Sequence, residues 1–188
     1  ARMQYDTDSY RSGRQNHQSA QQALDSRKST CDGFSVLFAD LARHAGVPVL
    51  TVTGYVKDGL HQNGQPFSDT NHAWNLVQLD GQWRIIDSTW GAGFDDGVKF
   101  NRRFDPYYFL TRPEELALSH FARDPEHRVG QNARDLGAFA KLPAVPVTLL
   151  SIARLQPADV QRAGTDGFVK TFDLPVGALR IVNGPLTR

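Results

Sequence analysis

The chain has a single cysteine, no long apolar run and almost no net charge, and each shortage excludes a class of protein. Cys31 is the only cysteine among 188 residues, so an intramolecular disulfide and a cysteine-rich zinc site are both excluded. No apolar run approaches the roughly 20 residues of a membrane-spanning helix. The net charge is +1, which favours no polyanionic partner. We therefore expect no nucleic-acid binding and no membrane span, while compartment and oligomeric state stay open.

The sequence also lacks the residue spacing of a metal or cofactor site. Its six histidines are dispersed, and no second thiol accompanies Cys31. Asp95 and Asp96 lie in a glycine-containing loop, but their spacing does not match an EF-hand. We therefore expect neither a metal ion nor another cofactor, and we interpret the two aspartates as a solvated surface.

The chain does contain one thiol that is followed by a histidine and a carboxylate. Thiol-based acyl transfer needs a thiol, a histidine and a carboxylate, and Cys31, His72 and Asp87 provide them. In that chemistry the thiolate attacks a carbonyl, the imidazole accepts and returns a proton, and the carboxylate orients the imidazole. We interpret the three residues as a candidate catalytic triad. For each residue alone, a structural role in the core or in a turn is the alternative.

The segment that begins near Cys31 has the apolar spacing of an amphipathic helix. Ser29 or Thr30 can cap its start, and the glycine and proline in 46–48 end it. Cys31 then lies in the first turn, where unpaired N–H groups and the helix dipole favour a thiolate and can bind an oxyanion. Asp32 beside it acts against this by adding negative charge. The predicted apolar face comprises Phe34, Leu37, Phe38, Leu41 and Ala45.

Two strand-like runs follow, at residues 73–79 and 82–87. The Asp80-Gly81 pair between them predicts a two-residue hairpin turn. In that register Asp87 lies diagonally opposite His72 and on the same face, because side chains alternate along a strand. Diagonal neighbours are about 7–8 Å apart at the backbone, a span that a histidine and an aspartate can bridge with one hydrogen bond.

Three ordered motifs resemble the transglutaminase-like superfamily. They are Cys31-Asp32-Gly33-Phe34, His72-Ala73-Trp74-Asn75 and Asp87-Ser88-Thr89-Trp90-Gly91. Segments 108–111 and 119–121 resemble its kyphoscoliosis peptidase-like branch, so the resemblance spans residues 5–130. It implies an α+β, papain-related core in which the helix with Cys31 packs on an antiparallel sheet with His72 and Asp87. His120, in the second of these segments, is expected to pack near the core without a catalytic role.

Superfamily members often place a side-chain donor for the oxyanion hole upstream of the nucleophile. Tyr5, Tyr10 and Gln18 are the candidates in this chain. We expect residues 1–17 to form an arm or the remnant of a helix. Segments 57–70 and 91–105 are expected to be exposed loops.

A composition shift near residue 142 predicts a change of architecture. The apolar runs at 147–152 and 178–182 indicate short strands separated by turns, together with Pro143, Pro146, Pro157 and Pro175. We expect residues 1–141 to form the transglutaminase-like core, with or without further upstream elements. Residues 142–188 are expected to form a β-rich extension or the start of a truncated β-sandwich.

The resemblance implies cysteine-dependent acyl transfer from a protein or peptide amide through a thioester on Cys31. Water as the acceptor gives a peptidase or a deamidase, and a lysine amine gives a transglutaminase. The motifs do not distinguish these acceptors. A non-catalytic scaffold or binding domain is the alternative, and the presence of all three triad residues favours the enzyme.

Overall fold

The fold combines short helices with antiparallel sheets, which confirms the predicted α+β class. The computed structural model describes residues 3–13, 17–58, 61, 64–131, 133–142, 168–174 and 177–183. The helices are α1 (Thr7–Arg11), α2 (Ala20–Ser26), α3 (Cys31–His44), α4 (Pro113–Leu116) and α5 (Leu136–Lys141). The strands are β1 (Gln4–Tyr5), β2 (Lys28–Ser29), β3 (Val49–Val56), β4 (His72–Leu79), β5 (Gln82–Ile86), β6 (Gly93–Asp95), β7 (Phe100–Arg102), β8 (His120–Ala122), β9 (Phe168–Leu174) and β10 (Gly177–Asn183).

A four-stranded antiparallel sheet with the order β5-β4-β3-β8 forms the centre of the described chain. Every residue of β4 from His72 to Val77 is buried, so both faces of this strand are covered. A core cluster lies against the sheet and comprises Val52, Val56, Trp74, Leu76, Ile85, Tyr108, Leu116 and Ala122. The strand that begins at His72 is therefore held in a rigid, water-poor setting.

The helix α3 begins at Cys31 and packs on the sheet, as predicted. Asn75, buried on β4, donates a hydrogen bond to the Ser35 carbonyl at 3.1 Å and so joins helix to strand. The predicted apolar face was wrong in part, because Leu41 is 58% exposed and Ala45 is also exposed. Most of the buried positions are small residues instead, since they permit neighbouring elements to approach closely. The buried residues of α3 are Gly33, Phe34, Ser35, Leu37, Ala39 and Ala42.

The predicted cap of α3 is not made. Thr30 occupies the N-cap position without a side-chain capping bond, and the Ser29 hydroxyl is buried without a partner. The helix ends as expected, with Gly46 at φ +74° just beyond it. Neither candidate side chain therefore competes for the backbone N–H groups beside Cys31.

The hairpin predicted at Asp80-Gly81 is confirmed. Leu79 pairs with Gln82, and the register continues to the pair of Asn75 and Ile86. Asp80 and Gly81 have φ values of +49° and +74°. Positive φ at both central residues is the property of a type I′ turn, whose twist matches the strands that it joins.

Local structure occupies some segments that the sequence predicted to be irregular. Residues 4–11 contain β1 and α1, and residues 91–105 contain the hairpin of β6 and β7 rather than a loop alone. Lys57, at the start of the predicted exposed connection, is only 2% exposed, and its ammonium lies 4.6 Å from the centre of the Phe139 ring. None of the described helices has the length and hydropathy of a membrane span.

Toward the end of the chain, β9 and β10 form an antiparallel pair, and β10 contains the predicted strand at 178–182. The run at 147–152 lies outside the described residues. The boundary between a core at 1–141 and an extension at 142–188 stays a prediction.

Gly54 lies where three strands and a large ring meet. On β3 it pairs with His72 on one side and Ala122 on the other. A Cβ there would lie 2.3 Å from the Phe121 carbonyl oxygen and 2.6 Å from a ring carbon of Trp74. We expect Gly54→Ala to lower the free energy of unfolding by about 1–3 kcal/mol in urea titrations, because the backbone must shift to accommodate the methyl group.

The matched control for this substitution is Gly137→Ala in α5. The nearest atom to a Cβ at Gly137 lies at 3.4 Å, which is ordinary contact. Alanine also favours a helix over glycine by up to about 1 kcal/mol. A Gly54→Ala variant as stable as Gly137→Ala would contradict the crowding argument.

Candidate active site

His72 and Asp87 form a buried hydrogen-bonded pair. Nε2 of His72 lies 2.7 Å from Oδ2 of Asp87. His72 is the first residue of β4 and Asp87 directly follows β5, so the hairpin brings them together in the predicted diagonal arrangement. Both side chains are almost wholly inaccessible, at 5% and 0% exposure.

The carboxylate of Asp87 accepts hydrogen bonds on both oxygens. Oδ1 accepts from the backbone N–H groups of Thr89 and Trp90, each at 3.0 Å. Oδ2 faces Nε2 of His72 at 2.7 Å and Nε2 of His120 at 3.2 Å. A fully buried charge is costly unless its lone pairs are satisfied. These four donors provide that compensation and hold the carboxylate in one orientation.

The pKa values of the pair move in opposite directions. Burial alone would lower the pKa of His72, but the charge and hydrogen bond of Asp87, with a smaller contribution from Cys31, raise it well above its usual value. Burial alone would raise the pKa of Asp87, but the charge of His72 and the hydrogen bonds from both histidines lower it. The pair therefore favours an imidazolium beside a carboxylate.

Cys31 opens onto the same cleft as His72. The thiol is partly exposed at the start of α3, and the cleft has a volume of about 170 Å³. Because Nε2 of His72 is engaged by Asp87, Nδ1 is the nitrogen left to meet a thiol. The cleft is lined by Tyr10, Gly13, Thr30, Cys31, Asp32, Thr53, Thr70, Asn71 and His72.

The three upstream candidates for the oxyanion hole occupy different places. Tyr10 lines the cleft. The ring of Tyr5 lies 5.9 Å from that of Tyr10 and 6.3 Å from that of Phe34, measured between centroids, and Tyr5 is not among the cleft-lining residues. Gln18 is likewise absent from the cleft, and its side-chain oxygen is buried without a hydrogen-bond partner.

His120 is buried, as the sequence analysis predicted, but its contact with Asp87 was not predicted. It is 0% exposed, and its strand β8 joins the edge of the sheet through pairing with β3. The only local signal was its place in the run Leu118–Phe121, which indicates a core strand as readily as a site. Its proximity to Asp87, 33 residues away, depends on the strand order of the folded sheet.

His72, Asp87 and His120 also form a group with the composition of a metal site, and their ligand atoms lie within 4.8 Å of one another. The distances from Nε2 of His72 and of His120 to Oδ2 of Asp87, 2.7 and 3.2 Å, are those of N–H to oxygen hydrogen bonds. A zinc ion bound by nitrogen at about 2.0–2.1 Å would require both Nε2 protons to leave. The donor set therefore fits two imidazoles sharing one carboxylate better than a metal centre.

Comparison with known proteins finds a family and relatives to which the region that holds Cys31, His72 and Asp87 is similar. Residues 1–88 match the model of the transglutaminase-like superfamily. The chain is 45% identical over 101 residues to kyphoscoliosis peptidase of Homo sapiens, with coverage of 52% of this chain and 15% of that protein. It is 28% identical over 130 residues to Hillarin of Drosophila melanogaster, and the match covers 61% of this chain and 16% of Hillarin.

A solved structure, "Crystal structure of a TGase", is 24% identical with a TM-score of 0.35, and the match covers 57% of this chain and 28% of that one. The matched region spans only 15% and 16% of the length of the two named relatives, which are therefore much longer proteins. The predicted resemblance to the superfamily and to its kyphoscoliosis peptidase-like branch is confirmed.

Proposed function

We propose, from the transglutaminase-like core that residues 1–88 carry, that this chain catalyses cysteine-dependent acyl transfer on protein or peptide amides. Cys31 is the nucleophile, His72 the general base and acid, and Asp87 the group that orients His72. One observation carries the proposal: the buried 2.7 Å hydrogen bond between His72 and Asp87, with His72 opening onto the cleft of Cys31.

The first step is transfer of the thiol proton of Cys31 to Nδ1 of His72. The raised pKa of His72 supports this step, because the imidazolium that forms is held by the charge of Asp87. The start of α3 supports it as well, since the helix dipole stabilises a thiolate in the first turn. The product is a thiolate and imidazolium pair beside the substrate.

Acylation follows when the thiolate forms a bond to the amide carbonyl carbon. The carbonyl oxygen becomes an oxyanion, to which the unpaired backbone N–H groups of the first turn of α3 can donate. His72 then gives its proton to the leaving nitrogen as the carbon–nitrogen bond breaks. An amine or ammonia departs, and the acyl group remains on Cys31 as a thioester.

Deacylation reverses these roles with a second acceptor. His72 takes a proton from water or from a primary amine, the acceptor attacks the thioester, and the thiolate of Cys31 leaves. Water yields a peptidase or a deamidase, and a lysine amine yields a transglutaminase. The walls of the cleft, including Tyr10, Thr53, Thr70 and Asn71, are the side chains in position to influence which acceptor enters.

A non-catalytic scaffold is the second candidate function, and an exposed aromatic patch favours it. We define this patch as Phe104 and Phe109, which are 68% and 50% exposed. The rings of Phe104 and Phe109 contact each other, with centroids 6.3 Å apart. Exposed apolar patches often mark protein interaction sites.

Alkylation of Cys31 separates the two candidates. The wild-type chain is expected to react with iodoacetamide near pH 6.5 up to about 100-fold faster than His72→Ala. An ordinary thiol of pKa about 8.5 is only about 1% thiolate at that pH. Because Cys31 is the only cysteine, all thiol alkylation in the chain reports on it.

The matched control is His44→Ala, at the other end of α3. His44 is 78% exposed at its side chain and lies outside the cleft, so its removal should leave the alkylation rate unchanged. A wild-type thiol that reacts no faster than His72→Ala would contradict the enzyme proposal. That result would favour the scaffold.

A further inference from the structure

Two imidazoles share one oxygen of Asp87. Nε2 of His72 lies at 2.7 Å from Oδ2, and Nε2 of His120 lies at 3.2 Å from the same atom. The proposed acyl transfer assigns a role to His72 but none to His120. A histidine that is wholly buried against the charged partner of a general base is placed to influence that base.

The proton positions on His120 follow from its partners. An ionised carboxylate only accepts hydrogen bonds, so Nε2 of His120 carries the proton that it donates to Asp87. Its Nδ1 lies 2.8 Å from the Ser119 hydroxyl. In a neutral ring that nitrogen is an acceptor, so the single proton of the Ser119 hydroxyl points to it rather than to the Leu116 carbonyl, which lies farther away at 3.3 Å. Burial lowers the pKa of His120 more than Asp87 raises it, which keeps the ring neutral.

Aromatic side chains restrict the His120 ring. The Trp74 indole packs edge-on against it, with ring centroids 5.0 Å apart and an interplanar angle of 87°. The Trp90 indole packs in the same way, with centroids 5.1 Å apart and an angle of 72°. Among the described residues, the titratable groups that interact with His120 are Asp87 and His72. His72 interacts in turn with Asp87 and Cys31. Asp87 is thus the one charged group that His120 hydrogen-bonds, and the two indoles leave the ring little freedom to move away from it.

A neutral hydrogen-bond donor on Oδ2 changes how strongly the carboxylate of Asp87 attracts the His72 imidazolium. It takes up part of the negative charge without adding a positive charge, and it leaves His72 less strongly held as an imidazolium. It also prevents rotation of the carboxylate, since both of its oxygens are then bonded from fixed directions. Both effects act on His72 through Asp87 and involve no contact with substrate.

We propose that His120 is a positioning residue that, through Oδ2 of Asp87, orients His72 and limits how strongly the carboxylate retains the proton on its imidazole. Ser119 supports this role by selecting the tautomer of His120. The catalytic part of this role rests on the proposed function. The effect of His120 on the proton affinity of His72 does not, and it can be measured without a substrate.

The test is an NMR titration of the His72 imidazole in three variants. His120→Leu removes the donor, and we expect the His72 titration to move upward by about one pH unit because the charge of Asp87 is no longer shared. His120→Gln retains an N–H at a similar reach and should return the titration toward the wild-type value. Ser119→Ala removes one of the two hydrogen bonds that hold the His120 ring and its tautomer, so it should produce a smaller upward shift.

A purely structural role predicts a different pattern, in which the variants lose stability while the His72 titration stays in place. An unmoved titration in His120→Leu, or equal shifts in the leucine and glutamine variants, would overturn the inference. If His120→Leu does not fold, an unmoved titration in Ser119→Ala overturns it instead. Failure of the proposed function would be recognised separately, by a wild-type Cys31 that is alkylated no faster than Cys31 in His72→Ala.

Discussion

Replacement of Cys31 by alanine is expected to abolish acyl transfer, with a loss of about 10⁴-fold or more in turnover. The thioester cannot form without the sulfur, and the remaining binding and oxyanion contacts supply only a small part of the catalysis in enzymes of this mechanistic type. The fold should persist, because Cys31 is partly exposed and its side chain is small.

Three readouts on one protein substrate measure this loss and identify the acceptor. Ammonia release indicates deamidation, new amino termini indicate proteolysis, and incorporation of a labelled primary amine indicates crosslinking. Arg43→Ala, exposed near the far end of α3, is the control that should retain turnover. Turnover in Cys31→Ala equal to that of the wild type would remove Cys31 from the mechanism.

The second large effect is expected at Asp87, where asparagine should lower turnover by about 10³–10⁴-fold. An amide presents one acceptor and one donor, whereas both oxygens of Asp87 accept hydrogen bonds. With the amide nitrogen toward the histidines, His72 must turn its unprotonated nitrogen to it and carry the proton on Nδ1. That tautomer cannot take a proton from Cys31.

Asp87→Asn should also be less stable by about 3–5 kcal/mol, since whichever way the amide turns, it meets two buried donors with its own N–H groups. The pKa of Asp87 is lowered by folding. Its contribution to stability is therefore present above its unfolded pKa of about 3.9 and is lost as the pH falls through the lower folded value.

Urea unfolding at pH 6 and pH 3 tests whether the stability that Asp87 contributes decreases as the pH falls. The difference in free energy of unfolding between wild type and Asp87→Asn should be larger at pH 6 than at pH 3. An equal difference at both pH values would mean that the buried carboxylate is not the source of the effect. A variant with wild-type turnover would instead show that the orientation of His72 does not depend on the charge of Asp87.

Local patterns predicted much of the geometry of this region. Asp80-Gly81 set the hairpin, and the alternation of a strand then placed Asp87 diagonally opposite His72. The position of Cys31 at the first turn of α3 also followed from nearby residues. These features depend on periods of two or 3.6 residues and on turn chemistry, which lie within short stretches of chain.

By itself, then, the sequence determined the helix start at Cys31 and the register of His72 against Asp87, and its resemblance to the superfamily implied the α+β class. Only the tertiary structure decided that small residues such as Ala39 and Ala42 are buried while Leu41 is exposed, and that His120 lies within hydrogen-bond distance of Asp87. The physical reason is range. The placement of β8 beside β3 depends on the packing of the whole sheet, and no periodicity within either strand specifies its neighbour.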